Sequence, residues 1–222
     1  WDVNLRAILH GYLTGQAGGG AIYDLITGKV NPSGKLAESW PYTYEDVPSA
    51  AFYGKTRDAL YLEGIYVGYR YYDKAEKAVR WPFGYGLSYT TFEYSNFNVN
   101  YNSATDQYEV SVKVTNTGAV DGKETVQIYA QSPYTDYDKQ NSVEKASVNL
   151  VGFGKTDVIK AGESETLQIN VDKRDLASYD AYGHGTYIIE AGNYFFTAAT
   201  DSHNATNNIL AAKGYTTADG MD

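Results

Sequence analysis

One glutamate stands inside the densest motif of the chain, and it is the first residue whose chemistry needs weighing. Glu63 lies in the run YLEGIYVGYRYYDKAEKAVRWPFGYGLSYTTFEY, residues 61–94, beside Gly64 and close to Gly68. A carboxyl group held away from water can be tuned toward general acid or base work. Set against that, Arg70 follows nearby in the sequence, and a glutamate at a tyrosine-packed junction suits a structural ion pair; this second reading is favoured. The glycines at 18–20 open a helical pattern and could meet a phosphate. No G-K-[ST] follows, since Gly28-Lys29 leads to Val30, and the spacing does not fit G-x-G-x-x-G after a strand, so close packing of the helix start is favoured. His10, His184 and His203 fall in separate segments and cysteine is absent, so neither a metal site nor a nucleophile–histidine pair nor a cofactor is expected. Tyr134 and Tyr137 sit in the polar run SPYTDYDKQNSVEK, residues 132–145, and offer flat apolar faces that could stack on a sugar ring. They are the candidate contact residues, against the alternative of an ordinary solvated loop. Asn204-Ala205-Thr206 is a glycosylation tripeptide of a kind too common to decide anything.

The elements that must hold these residues fall into two styles. Residues 5–13, LRAILHGYL, read as a buried strand, TGQAGGG as a turn, and residues 17–26 as a helix with Ala21, Ile22, Leu25 and Ile26 on one face and Gly28 as its stop. That is one strand–turn–helix repeat of an α/β layer. Asn31-Pro32-Ser33-Gly34 is a turn. In the 61–94 run, Gly64, Gly68, Gly84 and Gly86 permit turns and close approaches, while Tyr66, Tyr69, Tyr71, Tyr72, Trp81, Phe83 and Tyr85 supply large rigid surfaces. Two packed bodies are expected to meet there.

After Tyr89 the pattern changes to strict alternation. Tyr108, Val110, Val112 and Val114 face one way and Glu109, Ser111 and Lys113 the other. Similar runs at 125–130, 167–171, 187–190 and 194–199 are separated by the turn tripeptides Asn116-Thr117-Gly118, Ala161-Gly162-Glu163 and Ala191-Gly192-Asn193. Short strands at this spacing predict an antiparallel β-sandwich, and without cysteines the fibronectin type III-like kind fits better than the disulfide-bearing immunoglobulin kind. The tail from Asp201 holds a helical pattern at 205–213, turns polar and reads as a connector. The expected division is therefore 1–87 as the C-terminal part of an α/β sandwich, 88–200 as the β-sandwich and 201–222 as a linker toward a further domain.

Composition narrows the partners. With 18 basic against 27 acidic residues the net charge is -9, which repels phosphate backbones and anionic lipid surfaces, so neither nucleic acid nor membrane is an expected partner. No apolar run is long enough to span a bilayer, and the first residues, which begin at Trp1, lack the pattern of a signal peptide. The compartment stays open.

The quoted strings resemble family 3 glycoside hydrolases, the β-glucosidase family. Tyr61, Glu63, Gly64, residues 67–73 and residues 82–89 match its Y-x-E-G-x-x-V-G-Y-R-Y-Y-D and P-F-G-Y-G-L-S-Y strings. Gly15, Gln16, Gly18, Gly19, Ala21, Ile22, Gly28, residues 31–36 and Trp40-Pro41 match an earlier block. The strings at 126–129, 150–153 and 191–194 resemble the family's fibronectin-like module, and 207–215 resembles the passage toward the barrel in members with swapped domain order. The resemblance implies retaining hydrolysis of terminal non-reducing β-D-glucosyl units, which needs two carboxyl groups roughly 5 Å apart. It also implies that the nucleophile is an aspartate on a (β/α) barrel domain outside this chain and the acid/base a glutamate in a part of the sandwich preceding Trp1. No catalytic residue is then expected here, the chain alone is expected to be inactive, and β-glucoside is met only through the intact enzyme. One carboxylate cannot meet the two-group geometry, which again makes Glu63 structural. The alternative is a stand-alone carbohydrate-binding or adhesion β-sandwich, which explains the tyrosines but not the strand–helix unit ahead of them.

Overall fold

Val110, Val112 and Val114 are all fully buried, as their alternation predicts, and the strand that carries them is the middle one of its sheet. A computed structural model of the chain describes residues 4–55, 57–219 and 221. Strands β1 (Phe92–Asn102), β2 (Gln107–Asn116) and β5 (Ser164–Asp172) form one antiparallel sheet in the order β1-β2-β5. Strands β3 (Thr125–Gln131), β4 (Asn149–Lys155) and β8 (Phe195–Ala199) form a second, in the order β4-β3-β8. A separate ribbon pairs β6 (Ser178–Asp180) with β7 (Thr186–Ile188). In the first sheet Val110 lies opposite Ile169 and Val112 opposite Leu167, so side chains that share a face also meet across strands. Val126 and Ile128 of β3 close on them, with Ile159 and Val171, to make one core between the sheets.

A second core lies on the other side of β3. Helix α4 (Ser202–Ala212) packs Ala205 and Ile209 against Tyr129, Val148 and Ala199, with Tyr69 and Phe83 alongside. Asp201 starts this helix by accepting a hydrogen bond from the backbone N–H of Asn204 at 2.9 Å. Burial of Ile209 stabilises the docking by about 2 kcal/mol. The segment expected as a connector thus begins with an integral helix. The polar run 132–145, expected as a loop, contains the short helix α3 (Asp136–Asn141), capped by Thr135 and Asp138 in both directions. Strands β1 and β4 were not foreseen as strands: a register shift between Ser95 and Asn98 breaks the alternation of β1, and Gly152 and Gly154 dilute that of β4.

The region ahead of the sandwich is organised differently. Helix α1 (Gly18–Ile26) forms as predicted, and Gly28 closes it with a bond from its N–H to the carbonyl of Leu25. Residues 5–13 form no strand, and Leu5, Ile8, Leu9 and Leu13 are exposed. A buried strand needs ladder partners on its flanks, and no described residue provides them. Residues 36–40 instead run beside 81–85, held by Leu36 N–H to Tyr85 O (2.8 Å), Gly84 N–H to Leu36 O (2.8 Å) and Trp40 N–H to Trp81 O (2.8 Å). Helix α2 (Tyr69–Lys74) follows Gly68 and leads into this pairing. No helix among the described residues is long and apolar enough to cross a membrane.

Candidate functional site

The loop at residues 82–89 is pressed against β3, and the contact begins with a missing β-carbon. Gly84 has φ 87°, and a Cβ there would lie 2.0 Å from Oε1 of Gln127. With that space open, Gln127 Nε2 donates to the carbonyl of Gly84 (3.0 Å) and to that of Thr200 (2.7 Å), while its Oε1 accepts from the Tyr129 hydroxyl (2.8 Å). Around this latch, Ser202 N–H donates to Phe83 O at 2.9 Å and Leu150 N–H to the Tyr69 hydroxyl at 2.9 Å. The turn at 31–34 is held by Asn31, whose side chain accepts from Ser88 Oγ (2.9 Å) and Tyr89 N–H (2.8 Å) and donates to Asp121 O (3.1 Å). Lys35 and Glu124 form an ion pair of 3.1 Å, their side chains only 12% and 5% exposed. Glu124 also accepts from the Tyr94 hydroxyl at 2.8 Å, and burial together with that carboxylate pushes the Tyr94 phenol far above its ordinary range. Lys35 further donates to the carbonyl of Gly86 at 2.9 Å. The glycine-rich and tyrosine-rich strings are thus a joint between two bodies.

Glu63 does not pair with Arg70. Gly64 and Gly68 both take positive φ between them, so the chain reverses before α2 begins and the Arg70 guanidinium lies over the Tyr69 ring, 5.9 Å from its centroid. Glu63 instead lines an open cleft of about 360 Å³ with Pro48, Phe52, Leu62, Tyr66, Tyr71, Lys74 and Ala75. Asp73 Oδ2 and Arg70 Nε, both on α2, and Ser202 Oγ are buried and have no hydrogen-bond partner among the described residues. Burial pushes the Asp73 carboxyl up to about 6, with His203 opposing.

The two candidate tyrosines have different surroundings. Tyr134 is exposed, with the Lys74 ammonium 5.8 Å from its ring centroid. Tyr137 is half-buried, stacks on His184 with centroids 5.7 Å apart, and donates its hydroxyl to Asp180 Oδ2 at 2.6 Å. That bond, with backbone N–H bonds from His184 and Gly183, holds Asp180 down at about 2, and Asp180 in turn pushes Tyr137 up to about 12. His10 packs edge-on against Tyr12 and Trp40, and His203 sits on α4, so the three histidines stay apart. No group of three or more metal-ligating side chains occurs among the described residues.

The fold does bring two distant carboxylates together, which the sequence did not announce. Asp138 and Glu190 both receive the ammonium of Lys145, Asp138 at 2.7 Å. Burial alone would raise Asp138, but the bonds from Lys145 and the Thr135 backbone hold it below the usual carboxylate range. Asp138 is fully buried and Lys145 only 9% exposed. The space between the carboxylates is filled by a side chain, leaving no room for a glycosidic bond, and the cluster ties α3 to the segment before β8.

Comparison with known proteins supplies the context. Residues 1–89 match the glycosyl hydrolase family 3 C-terminal domain, and residues 124–202 match the fibronectin type III-like domain. The chain is 41% identical over 213 residues to an exo-alpha-(1->6)-L-arabinopyranosidase of Bifidobacterium longum, covering 96% of this chain and 27% of that protein. It is 40% identical over 205 residues to thermostable beta-glucosidase B of Acetivibrio thermocellus, covering 91% and 26%. Among solved structures, a beta-glucosidase of Bifidobacterium adolescentis superposes with a TM-score of 0.77 at 40% identity, over 87% of this chain and 27% of that one. Beta-glucosidase 3B of Thermotoga neapolitana, solved with glucose, gives 0.73 at 39% identity, over 84% and 25%. The chain spans about a quarter of the length of the curated relatives it matches.

Proposed function

We propose that this chain, which carries the family 3 C-terminal domain followed by a fibronectin type III-like domain and is homologous over most of its length to family 3 β-glucosidases, is the non-catalytic scaffold portion of a retaining glycoside hydrolase. Its substrates in that enzyme are terminal non-reducing β-D-glucosides, and its structural partner is a (β/α) barrel domain that bears the nucleophile. The observation that carries this reading is the joint: the Lys35–Glu124 ion pair and the Gln127–Gly84 hydrogen bond fasten the α/β portion to the β-sandwich, with Gln127 held in place by Thr200 and Tyr129. Catalysis by two carboxylates tolerates little misplacement, so a rigid buttress is a contribution to rate even without reacting atoms. The one close carboxylate pair described above is filled by Lys145 and buried, which supports placing the chemistry elsewhere.

Domain limits of 1–87, 88–200 and 201–222 go with this reading, α4 being the docked start of the last segment. Tyr134 is retained as the substrate-contact candidate because its ring is exposed. Tyr137, its ring and hydroxyl both engaged, is assigned to holding the β6–β7 ribbon. The test is hydrolysis by the full-length protein of aryl β-D-glucoside against aryl α-L-arabinopyranoside, with the anomer of the released sugar followed by NMR. Faster cleavage of the glucoside, with β-glucose released first, is expected. Preference for the arabinopyranoside would overturn the substrate, and release of α-glucose the retaining mechanism.

A further inference from the structure

The cleft beside α2 has a composition that the scaffold role does not use. Its walls are the rings of Phe52, Tyr66 and Tyr71 with Pro48, Leu62 and Ala75, and two charged groups, Glu63 and Lys74, open onto it. About 360 Å³ of mostly apolar space with a few polar groups is the size and make-up of a small-molecule site. Neither charge is spent on an ion pair among the described residues: Arg70 turns to Tyr69, and the Lys74 ammonium reaches only the ring of Tyr134. We propose that this cleft binds a single neutral pyranose, its carbon–hydrogen face against a tyrosine ring and its hydroxyls between the Glu63 carboxylate and the Lys74 ammonium.

The chemistry selects this occupant over charged ones. Glu144, whose Oε2 lies 3.6 Å from where a Gly64 Cβ would stand, adds a second negative charge near Glu63, which disfavours an anion. Lys74, which also lines the cleft, disfavours a small cation there. A carboxylate that accepts and an ammonium that donates suit hydroxyl groups, which do both. The Tyr66 phenol, neutral at neutral pH like any unperturbed tyrosine, adds a hydroxyl to the wall. The choice of sugar rests on the glycoside hydrolase reading; the cleft binds and does not cleave.

The experiment is calorimetric titration of the full-length protein with D-glucose, paired with crystals soaked in D-glucose. Density for one ring against Tyr66 or Tyr71, and affinity at one of the bound equivalents reduced at least about tenfold by Glu63→Gln with Lys74→Met, are expected. The thermal midpoint of the variant without sugar should match wild type, which separates binding from folding. Unchanged stoichiometry and affinity in the variant would overturn the site, and so would a cleft filled by another segment of the protein. Normal hydrolysis of aryl β-D-glucoside with an empty cleft defeats only this inference, whereas glucose in the cleft of a protein that hydrolyses no glycoside defeats only the functional reading.

Discussion

The residues before and after the joint contain similar apolar side chains and use them in opposite ways. In the sandwich, Val110, Val112, Val114, Val126, Ile128 and Val171 are fully buried. Ahead of Val110, Tyr72 alone among the described apolar side chains is buried, while Leu5, Leu13, Ile26, Leu60 and Leu62 face solvent. The difference is topological. Two antiparallel sheets can close a core with their own inner faces, whereas a strand–turn–helix unit buries its apolar face only against neighbouring strands. What holds the first region here is therefore the joint, through hydrogen bonds, the Lys35–Glu124 ion pair and the packing of Tyr69 and Phe83 into the second core, and its free apolar surface is the kind that marks a contact with another body.

Substitutions can break or sharpen that contrast. The largest effect is expected at the joint: Lys35→Met leaves the Glu124 carboxylate buried and unpaired and should cost about 3–5 kcal/mol in denaturant unfolding of the full-length protein. Addition of Glu124→Leu to that variant should restore most of the loss, because both charges are then gone. Ile128→Ala, which opens a cavity between the sheets, should cost about 3 kcal/mol in the same measurement. A loss below 1 kcal/mol would mean that the sandwich is not the tightly packed half.

Asp73 offers a pH test where α2 meets α4. Its folded carboxyl titrates at about 6 against an ordinary 3.8, so the folded state binds the proton more tightly. The stability it contributes is full below pH 3.8 and is lost as pH rises through about 6. Asp201, His203 and the Ser202 hydroxyl, all at the start of α4, are the groups that act on it. Asp73→Asn should therefore stabilise the protein at pH 7 by about 3 kcal/mol and leave it unchanged near pH 3.5, read from thermal midpoints at the two pH values. An equal effect at both would show that the carboxyl titrates normally. The smallest effect is expected at Leu13→Ser, within about 0.5 kcal/mol when the 222-residue chain is unfolded by itself. A loss matching that of Ile128→Ala would erase the contrast.

How much of this was legible follows the range of the interactions. The period of two in β2 needs only neighbours along the strand, so it could be read directly, as could Gly84 and Gly86 as points of close approach. Residues 5–13 read as a strand because apolar runs are scored without asking for ladder partners, and the structure supplies none. Glu63 and Arg70 are near in sequence, yet two glycines at positive φ turn them apart. Lys145, Asp138 and Glu190 meet only once β8 folds back beside β3, and no local pattern foretells that. Gln127 carried a usable signal: a polar side chain amid Val126, Ile128 and Tyr129 on a strand buried on both faces needs a partner, and the 82–89 loop provides it.

The claim that this chain supplies structure rather than reacting groups is tested most directly by giving the purified 222-residue polypeptide an aryl β-D-glucoside and recording the released phenol. Release at the rate of buffer alone, beside turnover by the full-length protein, is the predicted result. Steady turnover by the polypeptide that vanishes on Glu63→Gln would contradict it and place the chemistry here.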